Sequence, residues 1–457
     1  MTAEQCLASS RPILLYEQRG LRTWAYGLCR ALVLSTLFSI IFLPEFAHTS
    51  GDTLSPLYDK AAGSFRYIDL LVLVAAFAHA VALGCLRRKR RQFPRMLALP
   101  GLAFLGCIAL AIWYGARHGG SNFCFDWRGL ALGIALYFVW SFWLQDASHA
   151  AAALRVFLVY AGIRIAILYA LYFLGRPDTL LGVSIPTFDG PTLSCIAFTG
   201  ILAFAYQQKA RSLAPKLFCT GLALAAYLLV LLCLRRTYWG ELALGTLLLL
   251  MLERRQRARS FVFAGTAVLI AAIILGSSFS GRVRSLDVSR DEGEFSADNA
   301  DHVYDLMDAW YEIRQSPVMG IGLGTSYPTW YIRNWKPDSV MVHNAPLHVW
   351  LKYGLAGVAC YLWFHIAWLT WLYRRARAPN SGNPMFLRAA FAYVAAQFAM
   401  TLGFAPWPYS ELQMTALLSF LVAAAIAVDC SRSFCAASTA PLVADNHVAF
   451  GSDETGG

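Results

Sequence analysis

Apolar residues recur along this chain in unbroken runs of about twenty. They show neither the alternation of a half-buried strand nor the one-sided stripe of a soluble helix. A helix that crosses a bilayer needs about 20 consecutive apolar residues. Runs of that kind predict spans at about 24–44, 66–86, 96–115, 128–145, 155–175, 191–207, 216–234, 238–252, 260–276, 346–373, 387–404 and 411–429. Two of them, 191–207 and 238–252, are short enough to be tilted, broken or fused with a neighbour. Continuous apolar character favours helices over a transmembrane barrel, whose strands alternate over about ten residues. The expected fold is an all-α polytopic membrane protein with about 12 transmembrane helices and one long loop. It divides into a nine-span membrane region at 1–276, a large loop at 277–345, a three-span membrane region at 346–430 and a disordered tail at 431–457.

Composition closes off the soluble alternatives. Hydrophobic residues make up 58% of the chain and charged residues 14%, against about 25% charged in a soluble protein. The polar surface is therefore too small to cover a water-soluble globule. Eleven cysteines are scattered without a single CxxC pair, which argues against a disulfide scaffold. The net charge of +11 would suit a nucleic-acid partner in a soluble chain. Here the basic residues follow topology instead. With the N-terminus inside, the loops at 87–95, 208–216, 253–259 and 374–388, together with the N-terminal segment, hold more than half of the 38 Lys and Arg. That is the positive-inside rule, and it requires no nucleic acid. No small-residue cleavage pattern follows the run from Ala31 to Leu43. The run reads as a retained first helix, with both termini cytoplasmic.

The long loop lies on the opposite face, and its ten acidic residues against six basic ones reverse the charge of the rest. Within it Val303, Leu306, Met307, Trp310 and Ile313 recur at helical spacing, while Asp298, Asp301, Asp305, Asp308 and Glu312 fall on the other side. The pattern predicts an amphipathic helix whose acidic stripe is solvated. Pro317 ends it, and Gly320, Gly322 and Gly324 predict a flexible turn.

Candidate chemistry gathers at the outer ends of the spans. His343, followed by Asn344, stands where the loop meets the tenth span, and a neutral imidazole there can accept a proton from a hydroxyl. The alternative is an interfacial histidine that merely caps the helix. Arg235 and Arg236 occupy the outer turn between spans seven and eight, against the positive-inside rule, and a guanidinium fork suits phosphate oxygens. Arg282 and Arg284 follow span nine on the same side. All four could instead snorkel to head groups. Arg164, near the middle of span five, is either functional or a brace for the bundle. Lys352, nine residues beyond His343, either holds an anion or snorkels outward. His343 and His348 are badly placed to chelate one metal, there is no DxD pair, and neither a metal nor another cofactor is expected. A base beside several cations at one face suggests a reaction on a lipid-linked phosphate or diphosphate, in which Arg would neutralise the departing group.

At these residues the sequence resembles the bacterial O-antigen ligase and O-antigen polymerase superfamily. His343-Asn344, nine residues, then Gly354-Leu355-Ala356-Gly357 looks like its hallmark. Ser316-Pro317-Val318-Met319-Gly320-Ile321-Gly322-Leu323-Gly324 is similar to the Pro–Gly–Gly segment that precedes it, and Arg236-Thr237-Tyr238-Trp239 to an Arg-containing segment at a periplasmic helix start. The resemblance implies a GT-C-like fold in the bacterial inner membrane with a periplasmic site. It also implies inverting, metal-independent glycosyl transfer from an undecaprenyl-diphosphate-linked glycan, in the ligases to lipid A–core oligosaccharide during lipopolysaccharide biosynthesis. His343 would be the base and Arg236 a diphosphate ligand. The family's second Arg corresponds either to Arg282, four residues before Leu286, or to the position of His302 ahead of Leu306; in the latter case Arg282 or Arg290 would substitute.

The implied partners are the lipid-linked donor, the lipid A–core acceptor and membrane lipids. A ligase is expected ahead of a polymerase, which shares the chemistry, or a teichuronic- or protein-oligosaccharide ligase. A transporter or flippase would place its charges along a midplane pathway, where only Arg164 lies.

Overall fold

The computed structural model describes residues 33–38, 41, 60–62, 65–66, 70, 72–79, 94–118, 123–144, 146–173, 179–180, 183–184, 190–210, 212–233, 235–253, 265, 297–328, 338–339, 342–378, 383–403 and 412–438. Ten helices with defined limits follow one another: α1 Arg95–Arg117, α2 Phe123–Trp143, α3 Ala147–Phe173, α4 Gly190–Lys209, α5 Leu213–Leu232, α6 Arg236–Leu252, α7 Ala297–Gln315, α8 Ala345–Arg377, α9 Pro384–Thr401 and α10 Leu412–Ser438. Helical residues also occur at 33–38 and 72–79. Three two-stranded antiparallel ribbons complete the described elements: β1 Lys60–Ala62 with β2 Phe65–Arg66, β3 Thr179–Leu180 with β4 Val183–Ser184, and β5 Tyr327–Pro328 with β6 Asp338–Ser339. Among the described residues four helices, within α1, α3, α5 and α8, are long and apolar enough to cross a bilayer, and apolar stretches of α2, α6 and α10 are shorter. The chain is a membrane protein. All but residue 265 of the span expected at 260–276 lies outside the described residues, as do Arg282, Arg284 and Arg290.

Local chemistry sets the helix starts. Asn344 and Asn383 cap α8 and α9, each accepting from the amide three residues on, at 3.0 Å from Leu347 and 3.3 Å from Phe386. A proline in the first turn of each lacks the amide that a helix start leaves unbonded anyway. The centre of the bundle is α4, buried on every side from Gly190 to Ala205, with α9 and most of α10 around it. Such all-round burial is what an apolar sequence with no polar face allows. Phe38, Trp140, Phe157 and Phe420 pack ring against ring, with centroids 4.9–5.7 Å apart, and bind the N-terminal helical segment to α2, α3 and α10. At one end of the bundle Arg388 pairs with Glu253, and Arg375 with Asp429 at 3.1 Å. The opposite end carries His343.

The glycine segment is a fixed joint rather than a flexible turn. Gly320, Gly322, Gly324 and Gly354 all have φ between 69° and 85°, a region that costs other L-residues strain. Gly354 breaks the helical geometry of α8, and this frees the amide of Leu355 to donate to Pro317 O at 3.1 Å and Val318 O at 3.2 Å. Ile321 N in turn donates to Leu351 O, and Leu323 N to Ala111 O of α1. Irregular backbone is tolerated beside membrane spans only where protein satisfies its polar groups, and here α1 and α8 do so. A Cβ on Gly354 would lie 2.0 Å from Val318 O. Gly354→Ala should therefore destabilise the protein by at least ~1–3 kcal/mol, read as a lower melting temperature in detergent; unchanged melting would contradict the joint.

Candidate active site

His343 is held at the mouth of α8 by its neighbours in sequence and in space. The Asn344 side chain caps α8 and also donates through Nδ2 to Leu402 O at 2.9 Å and Gly403 O at 2.7 Å, at the end of α9. The amide of Val342 faces Nδ1 of buried His348 at 3.5 Å. The third support comes from α7. Asp305 Oδ2 accepts from the backbone amide of His343 at 2.7 Å and lies 3.1 Å from His343 Nδ1. Asp305 Oδ1 accepts from Tyr327 OH at 2.9 Å. The carboxylate is 4% exposed and the imidazole 22%. With Nδ1–H donated to Asp305, a neutral imidazole carries its lone pair on Nε2. A carboxylate behind a histidine in this way fixes the tautomer and stabilises the imidazolium that forms when a proton is taken.

Asp305 is the residue that sequence reasoning missed. The acidic stripe of α7 was expected to face solvent, yet Asp305 is 3% exposed and Asp308 0%, while Val303, Met307 and Trp310 of the apolar stripe are 40–44% exposed. Of the expected apolar face, Ile313 is buried and Leu306 half-buried, packed in a small core with Ala309, Tyr327, Val342 and Leu351. The helix is turned so that Asp305 and Asp308 are buried, Asp305 against His343 just before α8. Burial and the neighbouring Asp308 carboxylate push Glu312 above the usual carboxylate range. Lys352 also departs from expectation. It does not snorkel: it is fully buried, and its ammonium donates to Thr325 O in the glycine joint.

Arg235 and Arg236 come to the same end of the bundle. Arg235 is exposed at the N-cap of α6, and Arg236 is the first helical residue. The first turns of α6 are wedged among three helices. A Cβ on Gly190 of α4 would meet Tyr238 OH at 2.0 Å, Trp239 Nε1 donates to Val230 O of α5 at 3.1 Å, and a Cβ on Gly240 would meet Met400 Sδ of α9 at 2.7 Å. Met400 is two residues before Leu402, whose carbonyl Asn344 holds. The end of α9 thus bridges the two helix starts that carry Arg235–Arg236 and His343. Below them, buried Glu241 of α6 accepts from Ser194 Oγ of α4 at 2.6 Å, and that hydroxyl lies 2.9 Å from Tyr393 OH of α9. This polar knot, also unforeseen, fixes α6 against its neighbours.

One expected residue stays apart. Arg164 lies half-buried in the middle of α3, a helix packed mainly against α10, α4 and α5 rather than beside His343. His302 lies on α7 one turn before Asp305.

No curated protein matches the chain. Residues 220–362, running from α5 through Arg236, α7 and the glycine joint to the middle of α8, match the family model described as O-antigen ligase, and this match supports the superfamily resemblance over that segment.

Proposed function

We infer that the protein is an O-antigen ligase of the bacterial inner membrane, transferring O-antigen polysaccharide from undecaprenyl diphosphate to lipid A–core oligosaccharide at the periplasmic face. The observation that carries this reading is the His343–Asp305 pair at the mouth of α8, at the end of the bundle where α6 also starts. An acceptor hydroxyl of the core attacks the anomeric carbon of the donor. Its proton passes to His343 Nε2, the new glycosidic bond forms, and the bond to the diphosphate breaks with inversion. Undecaprenyl diphosphate departs carrying the electron pair, its charge met by Arg236 and Arg235, with Arg282 and Arg284 as further ligands. No metal is assigned a part.

Reconstitution tests the reading. Purified protein with an undecaprenyl-diphosphate glycan and lipid A–core should yield glycan on the core. Growth of a second lipid-linked glycan instead would make the protein a polymerase of the same superfamily, and export without a new bond would make it a flippase. Within this assay Arg236→Ala should lower kcat/KM for the donor about ten- to a hundredfold, and Arg236→Lys should restore part of it, because a point charge replaces a bidentate fork. Wild-type transfer by both variants would assign Arg236 to lipid anchoring.

A further inference from the structure

The exposed apolar face of α7 sits at a definite depth. α1 and α8 run antiparallel, with Gly101 against Phe364, Phe104 against Tyr361 and Cys107 against Cys360. From Arg95 to Arg117 α1 rises about 33 Å, close to the roughly 30 Å of a hydrocarbon core. Leu355 to Arg374 of α8 rises about 29 Å. The two registers agree that the hydrocarbon boundary on the His343 side lies near Gly354 and the last turns of α1. The first turns of α8, up to Tyr353, are therefore in the head-group layer or above it.

α7 descends beside this part of α8. Asp305 meets His343 at the top, Trp310 packs edge-on against Trp350 with centroids 5.6 Å apart, and Pro317 and Val318 meet Leu355 at the boundary. Along the outward side Met307 is 44%, Tyr311 52% and Val318 64% exposed, and below them Leu355 is 51% exposed on the flank of a membrane span. Arg314 lies over the Trp310 ring at 5.6 Å. The outer end of α1 repeats the device, with Arg117 over half-exposed Trp113 at 4.3 Å. Aromatic rings beside a basic group are what the membrane–water interface selects.

We propose that the C-terminal half of α7 and the glycine joint are seated in the bilayer interface, with Trp310, Tyr311 and Arg314 among lipid head groups and Val318 at the acyl-chain boundary. The long loop is thus partly a re-entrant element, and lipid covers the face left when its acids turned inward. The bilayer then holds Asp305 toward α8. This inference stands on α8 being a membrane span and is independent of the reaction.

The test is photo-cross-linking in the full-length protein, in nanodiscs of phosphatidylethanolamine and phosphatidylglycerol. A benzophenone amino acid replaces Tyr311, Val318, Leu355 or buried Ile313, one at a time, in variants that melt like the parent. Lipid adducts at 311 and 318 should equal those at 355 and exceed those at 313 several-fold. Adducts with a second copy or another protein at 311 and 318 would overturn the proposal. So would a lipid yield there no higher than at 313, which would leave the face in water.

Discussion

Replacing His343 with alanine is expected to cut glycan transfer by about 10²–10⁴-fold, the usual contribution of a general base, with little effect on the fold. The backbone explains the second half of that expectation. Asp305 accepts from the amide of residue 343, not only from the imidazole, and from Tyr327 OH. A methyl side chain leaves both of those bonds in place, and the space left by the imidazole lets water reach the vacated carboxylate oxygen. Asn344, which caps α8 and holds the end of α9, is untouched. The variant should therefore be recovered from membranes at parental yield and melting temperature. Transfer restored to the parental rate in a strain lacking the native protein would remove His343 from the chemistry and leave it an interfacial cap.

The residues legible in the sequence were those whose position alone is informative. His343-Asn344-Ala345-Pro346 carries its own helix-start signal, and topology puts it at a membrane surface. Arg235 and Arg236 stood out because two cations on the outer turn run against the charge bias of the other loops. The superfamily resemblance held over 220–362 because its motifs lie in that segment. What stayed hidden depends on rotation and partnership. An acid every third or fourth residue reads as a solvated stripe unless its partners are known, and the His343 that Asp305 meets lies just before α8, some forty residues later. Glu241 was invisible for the same reason, since its hydroxyl partner is on α4.

The glycines show a different kind of illegibility. Gly320, Gly322 and Gly324 look like a hinge because glycine permits motion, yet positive φ is also how a chain folds tightly against a helix. Two parts of the family signature, the Pro–Gly–Gly segment and the Gly354–Gly357 pair, prove to be halves of one joint, locked by Leu355 N to Pro317 O and Ile321 N to Leu351 O. Its function is placement. The joint sets where α7 stops, and so which residue of α7 stands opposite His343.

Asp305 supplies the sharper test of that placement, because in the proposed reaction it acts through His343 as a positioning residue. Asp305→Asn can keep an oxygen toward His343 if Tyr327 turns its hydroxyl to accept from the new amide; what it loses is the negative charge behind the imidazolium. Asp305→Ala also loses the acceptor for Nδ1–H and for the part-buried amide of residue 343, a cost of about 1–3 kcal/mol in stability. Transfer is expected to fall in that order, about 10–10²-fold for Asn and about 10²–10⁴-fold for Ala. The loss should appear in kcat, with KM for the lipid-linked donor unchanged, since the proposed reaction gives the donor's diphosphate to the arginines and not to Asp305. A variant of Asp305 that melts lower but keeps kcat would reduce the carboxylate to a structural tie. A rise in KM at constant kcat would instead place it on the donor.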